Sequence, residues 1–344
     1  MRESTAEASV VQHFWSLSIQ GRFYLFRPLL VGLVLLVAAL GRARTPRSRH
    51  RVGDLNNKSP HNCIGLHRTE GLPRSYATIR PYPRSETADI VVGMKVAVHQ
   101  GSYAKLPAAV AASDADLVVA AEMITTGYHI GARSHALAEP ADGPTAARMS
   151  ALATETGVAL AYGYPERDGA HVYNSVQLIG PGGRRLANYR KTHLFGDIDR
   201  SWFEPGTEAV VRADLGGVSV GLVICYDVEF PELVRAHALA GTELLLVPTA
   251  LMSPYELVAD TLVPGRAYES QLYVVYANRC DTEQELTYCG RSCVVAPTGE
   301  VLARAGAGPE LISADVDRTA LLVSRAENTH LADRRPELYR GLSA

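Results

Sequence analysis

The sequence is short of the features that mark several common protein classes. Cysteine occurs five times in 344 residues, at Cys63, Cys225, Cys280, Cys289 and Cys293, an odd and scattered set. That pattern excludes the dense, even framework of a small secreted disulfide protein and points to a reducing compartment. Cys289 and Cys293 have no second Cys or His pair at ligand spacing, so they read as buried strand thiols rather than a zinc site. There is no internal repeat and no glycine loop spaced to cradle phosphate. We therefore expect no metal, no cofactor and no nucleic-acid partner.

Long hydrophobic runs are also missing. Leu29–Leu40 is an apolar run of twelve, preceded by Arg22, Arg27 and Pro28 and followed by Arg42, Arg44, Arg47, Arg49 and Arg51. A membrane-spanning helix needs roughly 20 residues, so this run suits a signal-peptide core or a short anchor. The arginines on its C-terminal side would keep everything downstream in the cytoplasm. Residues 42–90, rich in Arg, Pro, Ser and Asn without hydrophobic period, read as a linker. A second reading stands beside this one. Met94 directly precedes the first strand pattern, so residues 1–93 are also explained as upstream sequence included through a wrongly chosen start site. Both readings divide the chain into an extension, 1–93, and a globular domain, 94–344. Charge divides it in the same place: residues 1–93 hold 13 Lys+Arg against 6 Asp+Glu, and the remainder 21 against 30.

What is present is ordinary globular material, 47% hydrophobic and 20% charged. From Met94 onward short β-branched runs alternate with helical stretches. Lys95–Gln100, Asp116–Ala121 and Val158–Gly163 read as strands, with helices up to Ala112 and over Thr145–Thr156. Gly180-Pro181-Gly182-Gly183 joins strands Val172–Ile179 and Arg185–Arg190 as a hairpin, and Pro297-Thr298-Gly299 joins Ser292–Ala296 to Glu300–Arg304. Between them lie strands Val218–Ile224, Leu244–Val247 and Leu272–Ala277, and helices Pro231–Ala240 and Pro264–Ser270. Hairpins mixed with crossover units predict an α/β protein with mixed sheets and helices outside.

Three positions stand out chemically. Cys225 closes the run Val218–Ile224 just before a helix, on a turn that leaves backbone N–H groups free. The helix start is expected to favour the thiolate and lower its pKa, and the Tyr226 N–H to help hold an oxyanion. Glu122 ends the run Leu117–Ala121, and Lys191 ends the second hairpin strand. Singly, each has a bland reading: a small core thiol, a water-facing carboxylate, and a solvated lysine guarding a sheet edge.

Their surroundings are more specific. The strings around Glu122, Tyr189-Arg190-Lys191-Thr192-His193-Leu194-Phe195 and Cys225-Tyr226-Asp227-Val228-Glu229-Phe230-Pro231-Glu232, in this order, resemble the nitrilase superfamily of carbon–nitrogen hydrolases. Tyr173-Asn174-Ser175, Arg266-Ala267 with Glu269, Asn278, Gly290 with Ser292 and Pro297-Thr298-Gly299 extend the resemblance from about Met94 to about Asp317. It implies a four-layer α-β-β-α sandwich that pairs into dimers or larger assemblies. It also implies Cys225 as nucleophile, Glu122 as base and Lys191 as cation. One departure concerns a second acid, which many members carry as a glutamate after the lysine. Here Asp199 occupies that place, with Asp197 nearby.

Within the resemblance, the motif versions are similar to amidases of ω-amino amides, the 5-aminopentanamide type. Glu229, four residues after the cysteine, would attract the amine of such a substrate. An N-carbamoyl amine hydrolase and a nitrilase are the alternatives inside the enzyme class. A non-catalytic binding member is the alternative outside it, against which the joint presence of Glu122, Lys191 and Cys225 argues. A membrane acyltransferase would need several spanning segments.

Overall fold

The computed structural model describes residues 93–339 and 341. The apolar run Leu29–Leu40, the arginine-rich segment and Cys63 lie outside the described residues, as does the extension 1–93 apart from Gly93. Fourteen strands and seven α-helices follow among the described residues. The strands are β1 (Gly93–Gln100), β2 (Leu117–Ala120), β3 (Ala159–Asp168), β4 (His171–Ile179), β5 (Arg185–Arg190), β6 (Val211–Leu215) and β7 (Val218–Leu222). They continue with β8 (Leu244–Pro248), β9 (Tyr273–Ala277), β10 (Thr282–Glu283), β11 (Leu286–Thr287), β12 (Cys293–Val295), β13 (Val301–Arg304) and β14 (Glu310–Asp317). The helices are α1 (Leu106–Ala112), α2 (Arg133–Leu137), α3 (Pro144–Thr156), α4 (Gly196–Arg200), α5 (Pro231–Leu239), α6 (Val263–Ser270) and α7 (Arg318–Glu327).

Two six-stranded mixed sheets form, in the orders β14-β1-β2-β3-β4-β5 and β13-β12-β9-β8-β7-β6. Each has three parallel strands at its centre and antiparallel strands at its sides. Strand period two decides what faces what. In β1 and β2, Val96, Val98, Leu117 and Val119 point to the core shared with the second sheet. Ala97, Val118 and Ala120, one residue out of phase, point the other way, where Leu106 and Val110 of α1 and Met149 and Ala153 of α3 cover them. On the far side, Leu233, Val234 and Ala238 of α5 and Val263 and Ala267 of α6 pack on the second sheet. The layers thus run helix, sheet, sheet, helix, the four-layer sandwich that the resemblance implied. Fully burying a side chain such as Leu160 or Leu246 contributes about 1.5–3 kcal/mol.

Most of the expected elements form within a residue or two of their predicted bounds. β3 runs on past Gly163 to Asp168 because its second half pairs with β4. β6, β10, β11, β14, α2, α4 and α7 were not read from the sequence. β14 shows why: alternate residues lie open to solvent, and it earns its place by pairing with β1 at the sheet edge.

Candidate active site

The carboxyl ends of β2 and β7, one from each sheet, converge with the end of β5, the position where open α/β sheets build their sites. Glu122 follows β2, and Met123 after it turns the chain sharply with φ 51°. This turn needs Gly163 on β3: a Cβ there would stand 2.4 Å from the Met123 nitrogen and 2.7 Å from Glu122 Cα. The backbone of Glu122 is therefore pressed directly against β3. Its carboxylate is fully buried, contrary to the bland reading of a water-facing acid.

Lys191 is also fully buried, so it is no edge lysine. Its Nζ donates to Glu122 Oε1 at 2.8 Å and to Asp199 Oδ2 at 2.7 Å. Asn174 Nδ2 from β4 donates to the same Glu122 oxygen at 2.7 Å, and the Phe195 N–H donates to Asp199 Oδ2 at 2.9 Å. Of the two candidate acids, the structure brings Asp199 to the lysine and leaves Asp197 exposed. Glu122 Oε2 and Asp199 Oδ1 are buried without a protein partner. Glu122 thus keeps a lone acceptor edge for a proton in transit.

Burial alone would drive the Lys191 ammonium toward neutrality. The two carboxylates outweigh that and hold its pKa well above the usual lysine value. Glu122 moves up as well, through burial and the nearby Asp199 charge, with Lys191 opposing. The trio carries two acids and one base, so one carboxylate always feels an uncompensated neighbour.

Cys225 is half-buried and sits in the left-handed region with φ 47°, while Ile224 before it is extended. A non-glycine residue there is uncommon and costs roughly 1–3 kcal/mol. Its surroundings hold it: Asp227, fully buried, accepts from the Ile224 N–H at 3.1 Å and from the Tyr189 hydroxyl at 2.8 Å. The other Asp227 oxygen accepts from Thr192 Oγ1 at 2.9 Å and from the His193 N–H at 2.9 Å. One carboxylate thereby ties the cysteine turn to the segment that carries Lys191.

The expected low thiol pKa is corrected here. Burial, and after it the Glu122 charge, push the Cys225 thiol up, more than Lys191, the Thr249 side chain and the Ala250 backbone pull it down. The physical reason lies in the local structure. Cys225 opens a short 3₁₀ turn, Cys225–Glu229, and α5 begins only at Pro231, while the buried Glu122 carboxylate stands by the sulfur. The Cys225 thiol is thus held protonated beside the Glu122 carboxylate. The Tyr226 N–H is among the first donors of that turn, which a helical start leaves unpaired.

A cavity of about 80 Å³ opens beside the sulfur, lined mostly by apolar and aromatic groups, among them Tyr128, Phe195, Tyr226, Met252 and Tyr255. Glu229 is its one acidic lining residue. Burial raises the pKa of Glu229, with Arg266 and Lys191 opposing. Asn174 was noticed in the sequence only as part of a string, and Tyr128, Gly163 and Thr249 were given no role; a lone asparagine between Tyr173 and Ser175 in a strand was the one available signal. Among the described residues no cluster of three or more His, Cys, Asp or Glu is arranged to hold a metal ion, and no helix is long and apolar enough to cross a membrane.

Residues 83–322 match the family model described as carbon-nitrogen hydrolase. The chain belongs to this family, within the nitrilase superfamily. A protein described as a hydrolase in the pqqF 5′ region of Pseudomonas protegens is 52% identical to this carbon–nitrogen hydrolase over 238 residues, 68% of this chain and 83% of that one. An (R)-stereoselective amidase from a Pseudomonas species is 37% identical over 228 residues, covering 66% and 82%. The crystal structure of an amidase from a Nesterenkonia species superposes with a TM-score of 0.66 at 31% identity, covering 74% of this chain and all of that one. A variant of that amidase shows covalent addition of the acetamide moiety of fluoroacetamide at its active-site cysteine. The present carbon–nitrogen hydrolase is accordingly an enzyme of amide chemistry, acting on carbon–nitrogen bonds other than peptide bonds.

Proposed function

We propose that this hydrolase converts a small aliphatic amide to carboxylate and ammonia through a thioester on Cys225, with Glu122 as the base and Lys191 as the charge stabiliser. The observation that carries this reading is the buried Lys191 ammonium, bonded to Glu122 and Asp199 beside the positive-φ cysteine.

The steps follow from the atoms available. The Cys225 thiol gives its proton to Glu122, whose Oε2 is free, and the sulfur adds to the amide carbonyl carbon. The carbonyl electron pair moves onto oxygen, where Lys191 and the Tyr226 N–H donate to it. Lys191 spends two of its three N–H donors on carboxylates and has one left for the oxyanion. Glu122 returns the proton to nitrogen, the C–N bond breaks and ammonia leaves. A water then gives a proton to Glu122 and its oxygen attacks the thioester. The C–S bond breaks, and the sulfur recovers its proton from Glu122. Asp199 holds Lys191 in place through both catalytic halves.

The substrate we favour is an ω-amino amide. Glu229 supports this, because it places one half-buried carboxylate on an otherwise apolar cavity. A short acyl chain is supported by the cavity's size, about 80 Å³, room for two or three water-sized groups before the chain must leave through the mouth. We extend the proposal to homodimer assembly, since Leu239 of α5 and Tyr268 of α6 stand exposed on the outer helices and pairing through that face would cover them. A cytoplasmic location and a hydrolase domain that starts at about Met94 complete it.

The test is an ammonia-release screen over short alkyl amides, ω-amino amides, carbamoyl amines and nitriles, with Cys225→Ala as control. Turnover of an amide, an acyl adduct on the Cys225 peptide by mass spectrometry and less than about a thousandth of the rate in Cys225→Ala are expected. Full activity in that variant would defeat the mechanism. A kcat/KM preference of about tenfold for the ω-amino amide, lost in Glu229→Gln, is expected from a desolvated charge-assisted contact of roughly 1.5–3 kcal/mol. Equal rates for charged and uncharged amides would leave a general short-chain amidase.

A further inference from the structure

We propose that Glu283 sets how bulky a group the enzyme admits beside Cys225, by pinning Tyr128 against the cavity, as a positioning residue that touches neither substrate nor sulfur. The inference rests on the amide-hydrolase reading above.

The wall and its clamp come from different parts of the fold. Tyr128 belongs to the loop after Glu122; it is buried, lines the cavity and places its ring 5.5 Å from Lys191 Nζ. Glu283 belongs to the β10–β11 hairpin between β9 and β12. One of its oxygens, Oε2, accepts from two successive backbone amides, Tyr128 N at 3.0 Å and His129 N at 2.6 Å. The Tyr288 hydroxyl donates to the same oxygen at 2.8 Å, and Arg279 Nη1 lies 3.6 Å away. Ionised acceptors make shorter and stronger bonds than neutral ones, so this carboxylate is a firm anchor for the loop.

Gly127 records how closely the anchor is seated. Its φ is +101°, and a Cβ there would fall 2.2 Å from Glu283 Oε1. Two further contacts reinforce the grip: Gln284 Nε2 donates to the His129 carbonyl, and His129 Nε2 pairs with Glu285 at 3.1 Å.

The same hairpin also holds a second part of the wall. Ser253 N donates to the Thr287 carbonyl at 3.0 Å, Cys289 N to the Leu251 carbonyl at 3.0 Å, and Met252 bridges Tyr288. Leu251 and Met252 line the same cavity, and Met252 and Tyr128 belong to one packed cluster with Tyr288. A single short hairpin therefore braces both parts, and the length of the Glu283 side chain fixes the gap between them. The catalytic trio hangs on separate contacts to Asn174 and the Phe195 N–H, so the gap can change without dismantling it.

The experiment measures Cys225 alkylation by iodoacetamide and by N-hexyl iodoacetamide, read by peptide mass spectrometry, in the parent, Glu283→Gln, Glu283→Ala, Tyr128→Ala and the double variant. In the parent the bulky reagent should lag, because each excess methylene in a tight pocket costs about tenfold or more. Glu283→Ala should narrow the ratio of the two rates by about tenfold, with Glu283→Gln between, and change the iodoacetamide rate by less than about threefold. Tyr128→Ala should narrow the ratio by a similar factor, and the double variant should add nothing to it, since both remove one wall. An unchanged ratio in Glu283→Ala, equal slowing of both reagents, or additive effects in the double variant would overturn the proposal. Should Glu283→Ala not fold, the comparison of Glu283→Gln with Tyr128→Ala decides on the same ratio. Because alkylation needs no turnover, a parent that hydrolyses no amide would defeat the functional reading while leaving this test intact.

Discussion

Glu122 and Asp199 share one cation: the Lys191 ammonium stands 2.8 Å from the first and 2.7 Å from the second. Glu122 consequently titrates in the field of Asp199. In the proposed mechanism Glu122 must be ionised to take the thiol proton, and burial and Asp199 both raise its pKa above the ordinary 4.5. The acid limb of kcat/KM is therefore expected above pH 4.5, with activity rising as Glu122 ionises. Asp199→Asn removes a like charge and should move that limb to lower pH; a limb that stays or moves up would disprove the coupling. The stability sign is the reverse of the usual carboxylate case. A raised folded pKa means that this group's contribution is complete below 4.5 and is lost as pH climbs through the folded value.

Lys191→Met should be the more damaging change. It removes the proposed oxyanion donor, a loss of roughly 3 kcal/mol or about a hundredfold or more in kcat, and leaves two buried acids facing each other. Glu122, no longer held down by the ammonium, should then take up a proton more readily, so thermal stability of this variant should improve on mild acidification relative to the parent. Near-normal kcat would return Lys191 to a purely structural role.

Gly163→Ala tests the seat of the base. The added carbon meets backbone on β2's exit, which has no flexible end to swing aside. Overpacking of this kind costs about 1–3 kcal/mol, but a shift of Glu122 by about an ångström costs roughly a hundredfold in rate. Circular dichroism and thermal melts should show a folded protein whose activity has fallen far more than its stability. Parent activity would mean that the Glu122 backbone tolerates movement.

A chain beginning at Met94 should fold and retain full activity, because each proposed catalytic residue lies downstream and β1 loses only its first residue, Gly93, paired with Asp317. Ammonia release and sedimentation of the truncated and full chains check this. An insoluble or inactive truncation, beside an active full chain, would show that the extension contributes structure.

The comparison of sequence with structure is uneven for physical reasons. The central strands were legible because both of their faces are buried, which leaves continuous apolar runs such as Leu244–Val247. Glu122, Lys191 and Cys225 stood out through their strings and order. Edge elements were not legible: β14 is half exposed and β10 and β11 have two residues each, too few for a period. The thiol's direction of shift was misjudged because the local pattern around Cys225 shows neither its burial nor the Glu122 carboxylate that the fold brings beside it. Asn174 and Glu283 act across 52 and 155 residues of chain, distances at which no local pattern speaks.

The pairing of β1 with β14, Met94 opposite Val316, carries a consequence for how the enzyme is made. On the ribosome, β1, β2 and β3 emerge early and can associate side by side, yet the free flank of β1 waits for almost the whole domain to be synthesised. During that interval Val96 and Val98 lie along an uncapped strand, an open template for other nascent chains. Closure by the last strand is a long-range event of high contact order, so productive maturation should be slow and sensitive to chaperone supply. Truncation just before Glu310 should make the chain aggregate while leaving Glu122, Lys191 and Cys225 within it.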